Sequence, residues 1–268
     1  MMWRECIRKE WMESVKTARF WVIIAVFGAF GMLGPLTARY VNEIISAVAG
    51  DLGGIIGQLP PPSVTDSWMQ FFKNMNQMCM LVMVLMFMTV VSGEKRRGSV
   101  LLVLSKGVGR TTFLCAKLTA AVLVYTIAYA LALGLQIGYT WLLFGEIGNS
   151  GIWIGLFCFW CYGIGMLSLT LLTSTIARST GIAAVLALGG YFVIQGIALF
   201  SKLGTVGGST GLIPTISLYS PGAANGLALL IYDGLKQAGD GWISAGVSIV
   251  FATILFIVAD RIFRRQEL

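Results

Sequence analysis

Six stretches of this chain are continuously apolar, and each is about as long as a helix needs to cross a hydrocarbon core, roughly 20 residues. They lie near residues 20–38, 74–92, 118–144, 152–172, 181–200 and 242–259. None has the apolar–polar alternation of a strand with lipid on one side and a lumen on the other, so a β-barrel is disfavoured. The pattern predicts an all-α polytopic membrane protein with six transmembrane helices, organised as one domain over residues 1–268. Short connections at 145–151 and 177–180 make the third, fourth and fifth helices antiparallel neighbours.

The stretches between the spans carry patterns of their own. Over residues 1–19, Trp3, Ile7, Trp11 and Val15 recur every four positions, with basic residues on the other faces. That spacing predicts an amphipathic helix lying at the membrane interface, where tryptophan concentrates; an ordinary positively charged flank is the competing reading. In the first span, Gly28, Gly31 and Gly34 let another helix approach, and Pro35 is expected to kink it. Residues 39–73 and 201–241 read as segments outside the membrane. The first holds Pro60-Pro61-Pro62, a stiff extended element, followed by Thr65-Asp66-Ser67, any of which suits a helix N-cap. The second holds Ser220-Pro221, an N-cap and first-turn pair, predicting a short helix to about Tyr232 at or dipping into the outer interface.

Composition agrees with this pattern. Charged residues are 12% of the 268, against about 25% in a soluble domain. Under an even number of spans, all but Arg39, Lys73, Lys202 and Lys236 of the 19 basic residues fall on the side of the termini. The positive-inside rule therefore places both termini in the cytoplasm of a multi-pass cell-membrane protein. The net charge of +7 is explained as a topology signal, so no nucleic-acid partner is expected. A cleaved signal peptide is disfavoured, since the first apolar run exceeds a signal's core of about 7–15 residues.

The chain has no histidine, which excludes histidine-dependent hydrolases and zinc enzymes, and no Gly-x-x-x-x-Gly-Lys-Ser/Thr with which to hold ATP. No enzyme activity, resident cofactor or metal is expected. No ionisable residue sits near the middle of a span; the polar amides at depth are Gln136 and Gln195. That argues against a proton- or sodium-coupled carrier. The second span carries Met75, Met78, Met80, Met83, Met86 and Met88 around Cys79. Without histidine or a regular Met-x-x-Met array, a pliant apolar wall is preferred over a copper(I) site. Met83, Met86, Gln136 and Gln195 are the candidates for a substrate path. Cys158 and Cys161 have redox spacing but fall inside the fourth span, where cysteine acts as a small hydrophobe. No disulfide framework is implied.

The segment 93–117 holds more than a connection needs. It has a basic knot at Lys95-Arg96-Arg97, a glycine break at Gly98, an apolar run from Val100 to Leu104, and a second glycine turn before Arg110. The run is too short to span a bilayer, so it must bury itself in lipid, in its own protein or in a partner. The flanking charge suits anionic lipid or an acidic protein groove.

Residues 92–99 and 101–118 resemble the signature loop of permease subunits in type-2 ATP-binding-cassette transporters. Glu94, Gly98, Ser99, Ser105, Arg110, Phe113 and Lys117 match that loop's pattern. Gly107 stands where proline is usual and Gly109 where serine is usual, and an acidic residue often found after the Gly-Ser pair is missing. The six-span layout, the basic amphipathic start and Ser220-Pro221-Gly222 extend the resemblance over most of the chain. It implies that the loop forms a cytoplasmic coupling helix docked on a separate ATPase. Two ATPase copies carrying ATP and Mg would serve two permeases, the second an identical copy. Val100, Leu101, Leu102 and Leu104 would be apolar contacts, with Arg96, Arg97, Lys106 and Arg110 as polar ones. Glu94 would brace the loop, and Gly98 and Ser99 would belong to the same coupling set. The function so implied is an exporter of a hydrophobic or amphipathic substrate: a peptide, an antibiotic or a lipid-like molecule. The alternatives are a loop that only rests on lipid, and a non-transporting six-span sensor, scaffold or assembly factor.

Overall fold

The structure, a computed structural model, describes residues 2–49, 61–105, 107–206, 220–232 and 234–266. Lys106 and Pro60 lie outside the described residues, as does the side chain of Trp3. Every described element is helical. In chain order these are α1 (Met2–Lys16), α2 (Ala18–Ala49), α3 (Val64–Asn74), a π-helical turn (Met75–Cys79) and α4 (Met80–Phe87). Next come α5 (Ser92–Arg96), α6 (Ser99–Ser105), α7 (Arg110–Phe144), α8 (Gly151–Ile176) and α9 (Thr180–Val206). A 3-10 turn (Pro221–Ala223), α10 (Ala224–Tyr232) and α11 (Ala238–Arg265) complete the chain. Among the described residues, six helical runs are long and apolar enough to span a membrane: Ala18–Val41, Val64–Arg96, Arg110–Phe144, Gly151–Ile176, Thr180–Leu199 and Ala238–Arg265.

The helices outrun the apolar stretches that announce them. The second span begins at Val64, ten positions before the apolar run, because residues 64–73 are amphipathic and bury one stripe: Val64, Ser67, Trp68, Phe71 and Phe72. Its N-cap is Ser63, which no pattern had singled out; Ser63 Oγ accepts from the Asp66 amide and the Asp66 carboxylate accepts from the Ser63 amide at 2.9 Å. The third span likewise starts at Arg110, and α2 runs past Pro35 to Ala49. Much of what reads as outside segment is therefore helix. Ser220 occupies the N-cap position ahead of Pro221, without a side-chain cap bond. The helix that follows, α10, buries Ala224, Leu227, Ala228 and Ile231 and packs chiefly on α8.

α8 is the central helix, packed by α11, α10, α9, α4 and α7, while α2 crosses α7 and α3 on the other side. Glycines let these helices pack closely, against backbone at Gly31 and against a ring at Gly163. A Cβ on Gly31 would lie 2.6 Å from the Ala132 carbonyl oxygen where α2 meets α7. One on Gly163 would lie 2.2 Å from the Tyr125 ring, where α7 meets α8. α1 lies against α7 and the start of α2, so it is a packed part of the bundle and not only a surface helix. Trp11 meets Phe20 edge to face at 6.0 Å, and Ile7 and Trp11 line a groove with Leu123 and Ile127 of α7.

Candidate coupling site and substrate cavity

α6 is set between two turns that need glycine: Gly98 and Gly107 adopt φ of +70° and +81°, a region costly for any other residue. The short helix between them is sided. Val100 is 1% exposed, enclosed by Val91, Phe113, Leu114, Leu171 and Phe263, with Val103 and Leu104 half-buried at its edge. Leu101 and Leu102 face away, 50% and 68% exposed. Val100, grouped with the leucines on the sequence as a partner contact, instead anchors α6 to the bundle. Leu104 straddles the two sides. Ser99 donates to the Glu94 carbonyl at 3.3 Å, joining α6 to α5.

Behind α6 lies an ion-pair cluster. Lys117, on the second turn of α7, is 2% exposed; its Nζ lies 2.6 Å from Glu94 Oε1 and 3.0 Å from Glu10 Oε2. One ammonium thus joins α1, α5 and α7. It also stands 4.9 Å from the centroid of the Phe113 ring, a favourable cation–π distance. Lys9 approaches Glu10 at 3.5 Å. Partial burial alone would lower the Lys9 ammonium, but the carboxylates of Glu10, Glu94 and Glu13 outweigh that and hold it above its ordinary value. Glu94 thus ties α5 to α7 through Lys117, at the far end of its own segment. Glu10 escaped the sequence reading because its partner is 107 positions away.

A second clamp ties the loop to the C-terminus. Arg110 Nη1 donates to the carbonyls of Phe263 (3.0 Å), Arg264 (2.8 Å) and Gln266 (2.8 Å), satisfying acceptors that the end of α11 leaves without helical partners. Arg264 returns a bond to Thr111 Oγ1 at 2.6 Å, and the Phe113 and Phe263 rings stack at 5.7 Å. Lys95 donates to the Thr175 carbonyl at 2.5 Å and to Gln266 Oε1, while Ser174 Oγ accepts from the amides of Val91 and Ser92. Arg110, expected to reach a partner protein, has that nitrogen committed inside its own chain. Arg96 and Arg97 are exposed but turn toward a cavity beside α1.

The four candidate path residues do not converge. Met83 is fully buried in the core, and Met86 packs at its edge. Gln136 is enclosed, its Nε2 donating to Ser67 Oγ (3.0 Å), the Ser67 carbonyl (3.3 Å) and Thr140 Oγ1 (3.2 Å), so it stitches α7 to α3. Gln195 alone lines open space, a cavity of about 390 Å³ between the π-helical turn and α9. There Asn76 Nδ2 donates to Gln195 Oε1 at 3.1 Å, and Tyr191 donates to the Asn76 carbonyl at 2.9 Å. A π-turn shifts the carbonyl ladder and leaves acceptors for side chains. Asn76 and Tyr191 are additions that the sequence reading missed. Reading 64–96 as one helix would have placed Asn76 well inside a span. In α8, the Cys158 thiol donates weakly to the Gly241 carbonyl at 3.0 Å, in keeping with a packing role.

Comparison with known proteins decides the family, since the profile described as ABC-2 family transporter protein matches residues 5–268. This chain belongs to the ABC-2 transporter family. An uncharacterized transmembrane protein of Bacillus subtilis (strain 168), YxlG, is 27% identical to it over 186 residues, covering 68% of this chain and 71% of that protein. As an ABC-2 chain it is a multi-pass membrane protein of the permease type. Such chains are ordinarily the non-catalytic membrane subunit, associated with an ABC ATPase. The resemblance first carried by residues 92–118 thus extends along almost the whole sequence.

Proposed function

We propose that this chain is the permease of an ATP-driven exporter, with α6 as the element that receives force from a separate ATPase. The observation that carries the reading is the sidedness of α6: Leu101 and Leu102 are exposed on a helix whose opposite face is fastened by Val100, Arg110 and the Lys117 cluster. Two large apolar side chains on a rigid mount at a water-facing surface suit a protein groove. ATP and Mg belong to the ATPase, two copies of which act on two permeases, the second a copy of this chain. Both termini and α6 face the cytoplasm, the side where nearly all the basic residues collect.

Movement of α6 by ATPase closure reaches the spans through short, stiff links. Lys117 passes it to α1 and α7, the Val100 cluster to α7, α8 and α11, and Arg110 to the end of α11. The substrate would meet the cavity at Asn76, Tyr191 and Gln195, where amides and a phenol border apolar Phe192 and Leu199. That lining suits an amphipathic molecule and offers no charge to a small ion.

The test is co-purification of an ABC ATPase with the tagged chain when it is expressed with its neighbouring genes, comparing wild type with a Leu101→Asp/Leu102→Asp variant. Loss of the ATPase with normal membrane insertion is expected. Unchanged co-purification would remove α6 from the interface, and absence of any ATPase from the wild type would favour a non-transporting membrane protein.

A further inference from the structure

A cavity of about 220 Å³ lies where α1 crosses the starts of α2 and α7 beside α5. Its floor is apolar: Phe20 and Ile23 from α2, Phe87 from α4 and Val124 from α7. One wall is acidic, with carboxylate oxygens of Glu10, Glu13 and Glu94 all within 4.8 Å of one another. Lys117 and Lys9 answer part of that charge, and Glu94 Oε2 has no hydrogen-bond donor among the described residues. The same lining carries Arg19, Arg96 and Arg97, exposed and without an ion-pair partner among the described residues. Charge of both signs thus lines one small space together with apolar side chains.

Each feature narrows the ligand. Three guanidiniums in reach of one space fit a phosphate, which accepts forked charge-assisted bonds. Adjacent carboxylates repel a second negative charge and fit a primary ammonium, which can donate three bonds. Phe20 and Ile23 lie in the first turns of one span and Phe87 near the end of the next, and Trp21, packed on Phe20, is 63% exposed, so the space sits at the level of lipid headgroups. We infer that this cavity holds the headgroup of an amine-bearing phospholipid, its phosphodiester toward Arg19, Arg96 and Arg97 and its ammonium toward the carboxylate wall. The acyl chains leave over the apolar floor into the leaflet on the side of the termini. A lipid so held fills the angle between α1 and the bundle, next to the Lys117 cluster. The inference stands on the cavity and does not depend on the ATPase reading.

The test uses the full chain, purified and delipidated, in micelles doped with dioleoylphosphatidylethanolamine, dioleoylphosphatidylcholine or dioleoylphosphatidylglycerol, read by native mass spectrometry and thermal unfolding. The ethanolamine lipid should be retained about tenfold more tightly than either other lipid, since the glycerol headgroup lacks the ammonium and the quaternary ammonium of choline has no N–H to donate to the carboxylates. A Glu13→Gln/Arg97→Gln variant, altering two exposed side chains, should lose that preference while keeping its helical content. Equal retention of the glycerol lipid would mean that the arginines act as a simple anion patch and would overturn the proposal. Equal retention of all three lipids, or an unaltered preference in the variant, would do the same. Full competition by soluble phosphoethanolamine would assign the cavity to a water-soluble ligand and overturn its lipid identity.

Discussion

Replacing Lys117 by methionine keeps the length and apolar stem of the side chain and removes the charge that joins three helices. The side chains of Glu10 and Glu94 are 11% and 14% exposed, so without Lys117 two carboxylates face each other with little water to screen them. Removing one partner of a buried ion pair costs about 3–5 kcal/mol. Lys9, 3.5 Å from Glu10, compensates in part, which places the expected cost at about 3 kcal/mol. The loss should appear as local opening of α1, because α1 is held to α7 by this cluster and by the Ile7–Trp11 groove, whereas α7 is fastened along its length. A free-energy change of that size is about a hundredfold in an opening equilibrium. Hydrogen exchange measured by mass spectrometry on the purified chain should therefore show residues 2–16 exchanging about a hundredfold faster, with α8 and α11 unchanged. A Glu10→Gln/Lys117→Met double variant should recover part of the loss, since it removes one of the stranded charges. Unaltered protection of α1 in Lys117→Met would refute the claim that the ion pairs hold it.

Three further outcomes follow from particular contacts. Gly163→Ala would drive a methyl group into the Tyr125 ring and should lower stability by at least about 1–3 kcal/mol, read as an earlier thermal unfolding midpoint in detergent; an unchanged midpoint would mean that α7 and α8 can separate freely. Arg110→Ala strips three carbonyls at the end of α11 of a charged donor, and should speed exchange of residues 260–266 while leaving α1 protected. Single cysteines placed at Lys106 and Lys236 in a cysteine-free background should be labelled from the inside and the outside respectively, and the reverse pattern would invert the orientation.

Span count and helical class were legible because a bilayer imposes a length and an apolar composition that sequence displays directly. Span boundaries were not. Residues 64–73 mix Thr65, Asp66, Gln70 and Lys73 with Trp68, Phe71 and Phe72, so average apolarity is low although one face is fully buried; a periodicity reading recovers that helix where a run-length reading loses it. The loop at 93–117 was legible as more than a connection because a short apolar run between glycines needs a place to bury itself. Its sidedness was not, since Val100 and Leu101 are alike in sequence and are separated only by the cluster of Phe113, Leu171 and Phe263 that one of them enters. The roles of Glu10, Arg110 and Asn76 depend on partners between 107 and 156 positions away, which no local pattern encodes.

The central claim is that the outward face of α6 touches an ATPase. A photo-crosslinking residue at Leu102, 68% exposed on α6, and another at Leu142, 72% exposed at the far end of α7, test it directly in intact cells. The account predicts a crosslinked band at Leu102 that contains a P-loop ATPase, and none at Leu142. No ATPase at Leu102, or the same band at both positions, would contradict it.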